Sequence, residues 1–460
     1  MKKIAVSAAL AGLISCANVQ ELPDNVMITG TNPIISNQFT ADPTARVFNG
    51  KIYMYPSHDI PSVVTHTDGS AWFSMEDYHV FSSEDLTVWT DHGVILRQED
   101  VQWGKSDAYS MWAPDCVEKD GKYYFYFPDA PKGGGFAIGV AVADSPEGPF
   151  VCEPEPIKGI FGIDPCVLQA SDGNAYIFWG NGRCAKLKDN MKELAEDNPR
   201  ETVRWGDREF EMIGVNCLEG LPSRQAEGPF AFEHNGYYYL TYPYVRENTE
   251  VLGYAMSRNP MGPYEYKGLI MAEHSNGCWT NHHSIVNFKG QWYLFYHHNA
   301  YSPDFDKNRS AQIEKLYFNP DGTIREVQPT LRGAGPVKAC HKVHIDRYSE
   351  MDGATIGYLD TTDFFKGWKT VFGKAGDQVT FRELDFGRKA PKRIALCCRG
   401  GSDAEIEIRA GDVCAELEIP ASPDWREISF RMPEKVRGLQ DLSVRLCEDA
   451  DLEIDWITFK

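Results

Sequence analysis

The chain has no apolar run long enough to cross a bilayer, no long amphipathic helical pattern, no Cys-x-x-Cys pair and too little positive charge. Each absence removes a class of function. Lys and Arg number 46 against 66 Asp and Glu, a formal charge of −20, so nucleic acids and other polyanions would be repelled. The acidic excess is spread along the chain, the pattern of a solvated acidic surface. The 12 cysteines show neither metal-ligand spacing nor a readable disulfide framework. Cys116 and Cys166 lie in apolar strand patterns, where Cys behaves as a small apolar residue. Most of the set is expected as buried thiols, with one or two disulfides open. Gly133-Gly134-Gly135 precedes no helix pattern, so it reads as a flexible loop and not as a phosphate cradle.

What the chain does have is aromatic residues and turns. Its 460 residues include 12% aromatics, 40 Gly and 27 Pro, which suits many short strands. One phrase recurs: a polar opening, an apolar strand, a glycine turn, then a strand crowded with rings. It runs from Ala41-Asp42-Pro43 through Gly50 to Ile52-Tyr53-Met54-Tyr55, and from Trp112-Ala113-Pro114-Asp115 through Gly121 to Tyr123-Tyr124-Phe125-Tyr126. It returns from Ile163-Asp164-Pro165 through Gly173 to Tyr176-Ile177-Phe178-Trp179, and from Ala226-Glu227-Gly228-Pro229 through Gly236 to Tyr237-Tyr238-Tyr239-Leu240. The fifth copy runs from His282-His283-Ser284 through Gly290 to Trp292-Tyr293-Leu294-Phe295-Tyr296. Five copies roughly 50 to 70 residues apart indicate radial repetition.

The expected fold is all-β: a five-bladed β-propeller over residues 17–335, then a jelly-roll-like β-sandwich over 340–460. In a hairpin the start of the first strand lies beside the end of the second. The first strand of each propeller blade lines the channel, so the five openings converge at one mouth. Asp42, Asp164 and Glu227 should meet there, among second-strand ends that include His58, Trp179 and Tyr242. Three carboxyls among rings and histidines suit hydrolysis of a sugar ether linkage. The rings stack on sugar faces, while one protonated acid and one ionised carboxylate flank the bond. An acid before Pro is by itself a common turn former; its recurrence at one place in the repeat points to chemistry. Asp115, after its Pro, reads as structural. Trp112 either packs between blades or stacks on a sugar, and His297 and His298 read as a solvated pair. Neutral glycans meet no conflict with the acidic charge.

The openings Ala41-Asp42-Pro43, Trp112-Ala113-Pro114-Asp115, Gly162-Ile163-Asp164-Pro165, Ala226-Glu227-Gly228-Pro229 and His282-His283-Ser284 resemble glycoside hydrolase family 43 over residues 30–335. Ser82-Ser83-Glu84-Asp85-Leu86 with Trp89 resembles that family's outer strands of blade one. The resemblance implies an exo-acting, inverting hydrolase that releases α-L-arabinofuranosyl or β-D-xylosyl residues from plant cell-wall polysaccharides or oligosaccharides. Asp42 is then the general base, Glu227 the general acid, and Asp164 the residue that tunes and orients it. Glu227 needs a raised pKa, which burial and the charge of Asp164 would supply. Inversion needs room for a water, so the reacting carboxyls should sit ~6.5–9.5 Å apart. Arg309 resembles the family's fifth-blade arginine and is read as a partner for a sugar hydroxyl, beside Trp112, His58, Tyr242 and Trp179. His283 resembles its channel histidine, a ligand to water or to a calcium ion. The acid–base chemistry requires no cofactor. A non-catalytic glycan-binding propeller, or a glycosidase of the same fold acting on galactosyl linkages, stays open.

Lys2 and Lys3 precede an apolar stretch of about eleven residues, Ile4 to Ile14, too short to span a bilayer that needs ~20. Residues 1–16 are expected to be a signal peptide. Leu13-Ile14-Ser15-Cys16 resembles a bacterial lipobox, which implies export and a lipid anchor on Cys16, in the outer membrane or periplasm of a bacterial envelope. After Gly335 the aromatic repeat stops and short alternating strands follow, such as Ala404-Glu405-Ile406-Glu407-Ile408-Arg409, a sandwich pattern. Asp346-Arg347-Tyr348-Ser349 and Ile454-Asp455-Trp456 resemble a family 6 carbohydrate-binding module, with Trp368 and Trp425 as candidate stacking rings. Packing against the propeller is the other role open to that domain.

Overall fold

Two-residue glycine turns set the architecture. Asn49-Gly50, Asp120-Gly121, Asn235-Gly236 and Lys289-Gly290 all have both residues at positive φ, the turn whose twist matches that of paired strands. Each closes a hairpin with no loop residue to spare: Phe48 pairs Lys51, Lys119 pairs Lys122, His234 pairs Tyr237, and Phe288 pairs Gln291. The computed structural model describes residues 25–28, 30–205, 208–220, 222–223, 226–274, 278–335 and 337–460. The expected signal peptide and Cys16 lie outside the described residues.

These hairpins are the inner halves of four of the five antiparallel blades; in blade three a longer turn through Gly173 joins Gln169 to Ala175. Blade one contains Ala41–Phe48, Lys51–Ser57, Asp77–Ser83 and Val88–Arg97; blade two Asp115–Lys119, Lys122–Asp129, Ala137–Ala143 and Val151–Cys152. Blade three contains Cys166–Gln169, Ala175–Trp179, Arg183–Lys186 and Val215–Asn216, with the hairpin Arg200–Trp205 and Arg208–Ile213 inserted before its last strand. Blade four contains Phe230–His234, Tyr237–Arg246, Thr249–Ser257 and Tyr264–Met271, with Leu218–Glu219 parallel on its outer edge. Blade five contains His283–Phe288, Gln291–His298 and Ser310–Leu316. The segment before blade one closes the ring onto blade five: Ile34 N–H donates to Ala311 O at 3.0 Å and Thr40 N–H to Arg309 O at 2.8 Å.

Alternation explains the packing. Every second residue of each strand turns into the gap between blades, where Phe178, Phe230, Tyr239, Tyr254 and Leu294 share one apolar cluster. Tyr55, Tyr78, Phe125 and Phe127 share another. Asp115 is structural, as its position suggested. It takes both Arg46 Nε at 2.9 Å and Nη2 at 2.6 Å, and accepts Val167 N–H at 2.6 Å, tying blades one, two and three together.

The chain divides into a unit of Pro33–Glu84 with Trp89–Pro329 and a unit built on Thr330–Lys460. The change falls a few residues before the expected boundary, and Val337–Lys338 pairs with Gln378–Asp385 ahead of the expected sandwich start at 340. The second unit is a sandwich of two six-stranded sheets. Phe381, Leu396, Ile406, Leu442 and Ile454 fill the space between them. Among the described residues no cysteine is paired, and no helix is long and apolar enough to cross a membrane.

Candidate active site

The backbone is strained where the acids stand. Asp42 and Asp164 each precede a proline and hold positive φ, 46° and 59°, against the extended conformation that the following proline favours. Such conformations cost of order 1–3 kcal/mol and persist where surrounding structure enforces them. Asp42 sits in a bulge, since the blade-one register shifts between Ala41 and Thr44. Its N–H donates to Nδ1 of His297 at 3.1 Å. His297 Nε2 lies 3.1 Å from Thr280 O, so the neutral ring carries its proton there.

A chain of contacts joins four blades around these carboxyls. Gly228 N–H donates to Asp164 Oδ2 at 3.0 Å. Gly228 itself, at φ 47°, lies so close to His282 that a Cβ would meet the ring nitrogen at 2.9 Å. His282 Nδ1 is 3.7 Å from Asp42 Oδ1. Glu227, next to Gly228, is fixed by its own N–H to Pro243 O at 3.2 Å. The openings of blades one, three, four and five therefore meet, as the repeat predicted.

Arg309 sets the charge. Its guanidinium donates to Asp42 Oδ1 at 3.0 Å and Oδ2 at 3.4 Å, and to Asp59 Oδ2 at 3.0 Å and Oδ1 at 2.9 Å. Ser57 Oγ adds a 2.6 Å bond to Asp42 Oδ2. Burial alone would push Asp42 up, but Arg309 and the flanking histidines outweigh it and hold the carboxyl well below its usual range. Glu227 moves the other way, raised by burial and by the charge of Asp42. Asp164 is raised well above its usual value by burial and then by Glu227. Asp42 thus joins Asp164, the neighbour that the sequence suggested, among the carboxyls that act on Glu227. A carboxyl held low beside carboxyls that are raised is the division that an acid–base pair needs.

The remaining expected residues divide. Trp112 is half-buried and leans on Phe136 at 4.8 Å, with its indole nitrogen unpartnered. Arg309 spends its guanidinium on Asp42 and Asp59, where a sugar hydroxyl was expected. Trp179 is buried in the cluster of Val117, Tyr126 and Ile177, and Tyr242 in that of blade four; neither shows a face to solvent. His58 turns to Asp77, Nδ1 to Oδ1 at 2.7 Å. With His79, whose Nδ1 lies 3.1 Å from Asp91 Oδ1, these two place three side chains able to ligate a metal within 4.8 Å of one another. His297 is fully buried, where a solvated pair was expected. His283 is buried in the channel, Nε2 at 2.5 Å from Thr241 Oγ1 and Nδ1 unpartnered. Asp59 and Glu250 were missed. Asp59 lies two residues past the strand Lys51–Ser57, outside the repeat, and the signal for Glu250 is an acid near the start of an otherwise apolar strand, Val251-Leu252-Gly253-Tyr254-Ala255.

Residues 30–324 match Glycosyl hydrolases family 43. The chain is 39% identical over 335 residues to a Xylosidase/arabinosidase 43A of Humicola insolens, covering 65% of this chain and 99% of that protein. A solved beta-xylosidase/alpha-arabinofuranosidase from a compost microbial metagenome, in complex with xylotriose and calcium-free, matches with a TM-score of 0.58 and 36% identity, over 66% of this chain and 99% of its own. An arabinoxylan arabinofuranohydrolase of Bacillus subtilis shares the fold over 94% of this chain and 98% of its own, with a TM-score of 0.51 and 23% identity. With the acids gathered as that chemistry requires and the match spanning the whole propeller, the chain belongs to glycosyl hydrolase family 43 and is a glycoside hydrolase.

Proposed function

We propose that the enzyme is an exo-acting, inverting hydrolase that releases α-L-arabinofuranosyl or β-D-xylosyl ends from plant polysaccharides or oligosaccharides. The observation that carries this reading is the unequal setting of two carboxyls in one cluster: Arg309 lies 3.0 Å from Asp42 and holds it low, whereas burial and the charge of Asp42 raise Glu227. Asp42 takes a proton from water as the oxygen attacks the anomeric carbon. Glu227 gives its proton to the departing glycosidic oxygen, so charge and protons balance. Asp164, bonded to Gly228 N–H, holds the backbone beside that acid. Trp112 offers its partly open ring to the sugar. The relatives named as xylosidases and arabinosidases support the choice of sugar.

The test is a screen of chromogenic arabinofuranosides, xylosides and galactosides, with the anomer of the first-formed product read by NMR. Asp42→Asn and Glu227→Gln should each lower turnover ~10²–10⁴-fold with ligand affinity kept. Wild-type turnover by either variant, or a retained anomer, would reject the assignment. Binding without cleavage of any substrate would favour a glycan-binding propeller. Preference for galactosides would favour the galactosyl reading, for which a Beta-D-galactofuranosidase of Aspergillus niger, 29% identical, gives support.

His283 fits one position of a hydrated calcium ion or of a channel water, since Nδ1 is buried without a partner; such an ion would supply positive charge, its other ligands being oxygens. In the sandwich, the family 6 resemblance supports a glycan-holding role through Trp425, which is half-buried with Arg399 against its ring. Trp368, by contrast, is buried. Both oxygens of Asp346 are buried without hydrogen-bond partners, which suits a hard cation. Export and a lipid anchor at Cys16 complete the proposal; labelling with an alkyne fatty acid should mark the protein and should fail for Cys16→Ala.

A further inference from the structure

A buried acid that the proposed reaction does not use stands behind Glu227. Glu250, near the start of the strand Thr249–Ser257, is 2% exposed. Its N–H donates to Trp279 O at 3.0 Å, and its Oε2 accepts Asn281 N–H at 2.8 Å. It faces Val245 across the sheet, two residues beyond the Pro243 whose carbonyl holds Glu227 N–H. So blade four and the approach to blade five fix both acids against each other. The carboxyls of Glu227 and Glu250 lie close enough for a hydrogen bond between them. Two carboxyls can make that bond only with a proton between them, because an ionised carboxylate is an acceptor alone.

We infer that Glu250 is the positioning residue of the general acid, a neutral carboxyl that donates a hydrogen bond to Glu227 and steadies the carboxylate left when Glu227 releases its proton. The inference rests on the reading of Glu227 as that acid. The charged groups acting on the pair are Asp164, Asp42 and Arg309. Glu250 is the more deeply buried of the two, and an ionised carboxylate is least favourable where water is most fully excluded, so the shared proton is assigned to Glu250; burial and then Glu227 push it in the same direction. As Glu227 gives its proton to the leaving oxygen, the bond from Glu250 becomes charge-assisted and shorter. It therefore strengthens toward the transition state, the condition for raising kcat. No proton leaves Glu250, and solvent reprotonates Glu227 after the sugar departs.

The test compares kcat/KM and its pH profile for Glu250→Leu, Glu250→Gln and Glu227→Gln. The substrates are two aryl glycosides of the sugar that the parent cleaves, one with a dinitrophenyl and one with an unsubstituted phenyl leaving group. Glu250→Leu should lose ~10-fold or more on the phenyl glycoside and less than about threefold on the dinitrophenyl one, which needs little acid help. Its alkaline limb should move up, because the bond that stabilised ionised Glu227 is gone. Glu250→Gln, whose amide can donate the same bond and accept from Asn281, should recover most of that loss with the limb near the parent's. Equal loss on both leaving groups with an unmoved limb, or no recovery with Gln, would overturn the inference. If Glu250→Leu does not fold, Glu250→Gln decides alone: a parental limb upholds the inference and a displaced limb ends it. Should Glu227→Gln itself keep activity on the phenyl glycoside, the acid assignment has failed, whatever Glu250 does.

Discussion

Asp42 and Glu227 are the same functional group in the same cluster, and the groups beside Asp42, Arg309 first among them, separate their roles. Arg309 lies 3.0 Å from Asp42 and is itself clamped by Asp59. Asp42 must be ionised to act, so its activity disappears as pH falls through its folded value, which Arg309 holds below the ordinary ~3.9. Arg309→Met removes that cation and leaves burial as the largest influence. The acidic limb of kcat/KM should then move to higher pH. A limb that stayed in place would mean that the histidines, and not Arg309, keep Asp42 charged. Arg309→Lys should recover only part of the loss, since one ammonium cannot replace a fork that serves two carboxylates.

Elements decide which side chains reach the site. Gly228 opens blade four at φ 47° with its Cα face against His282. Gly228→Ala would place a methyl 2.9 Å from a buried ring in a backbone conformation that alanine resists. It should cost ~1–3 kcal/mol of stability and lower kcat more than KM, because it displaces both His282 and the Asp164 contact; thermal unfolding and kinetics check both. The strand pattern also explains what could be read from sequence. The acids were legible because each opens an inner strand at the same register point of a repeat. Trp179 and Tyr242 were not, because neighbours on a strand point to opposite sides and the ends of second strands carry rings on both. Asp59 and Glu250 belong to no repeat position, so only the folded contacts with Arg309 and Glu227 reveal them. Trp179→Ala should accordingly behave as a core truncation, costing ~3–5 kcal/mol, whereas Trp112→Ala should leave unfolding little changed and raise KM. The reverse pattern would put Trp179 at the sugar.

At the scale of the whole molecule, the site is a stability cost that the rest of the propeller offsets. Glu227, Asp164 and Glu250 are all raised by burial. A carboxyl whose folded value is raised is no burden at low pH, where both states are protonated. The cost appears as pH rises through the unfolded value, ~4.3 for Glu, because the unfolded chain ionises while the folded one cannot do so freely. Asp42 has the opposite sign: its contribution is complete above ~3.9 and is lost as pH falls toward its lower folded value. Stability should therefore fall on both sides of a mildly acidic optimum. Glu227→Gln removes one raised group and leaves Asp42 alone. Each ~1 kcal/mol gained moves the transition of a large domain by about 2 °C. The variant should unfold about that much above the parent at pH 8 and close to it at pH 4.5, by calorimetry at both values, while losing hydrolysis at each. A parent that matched its variant at pH 8 would show that Glu227 ionises freely in the folded protein, and an acid that does so has no proton to give at neutral pH.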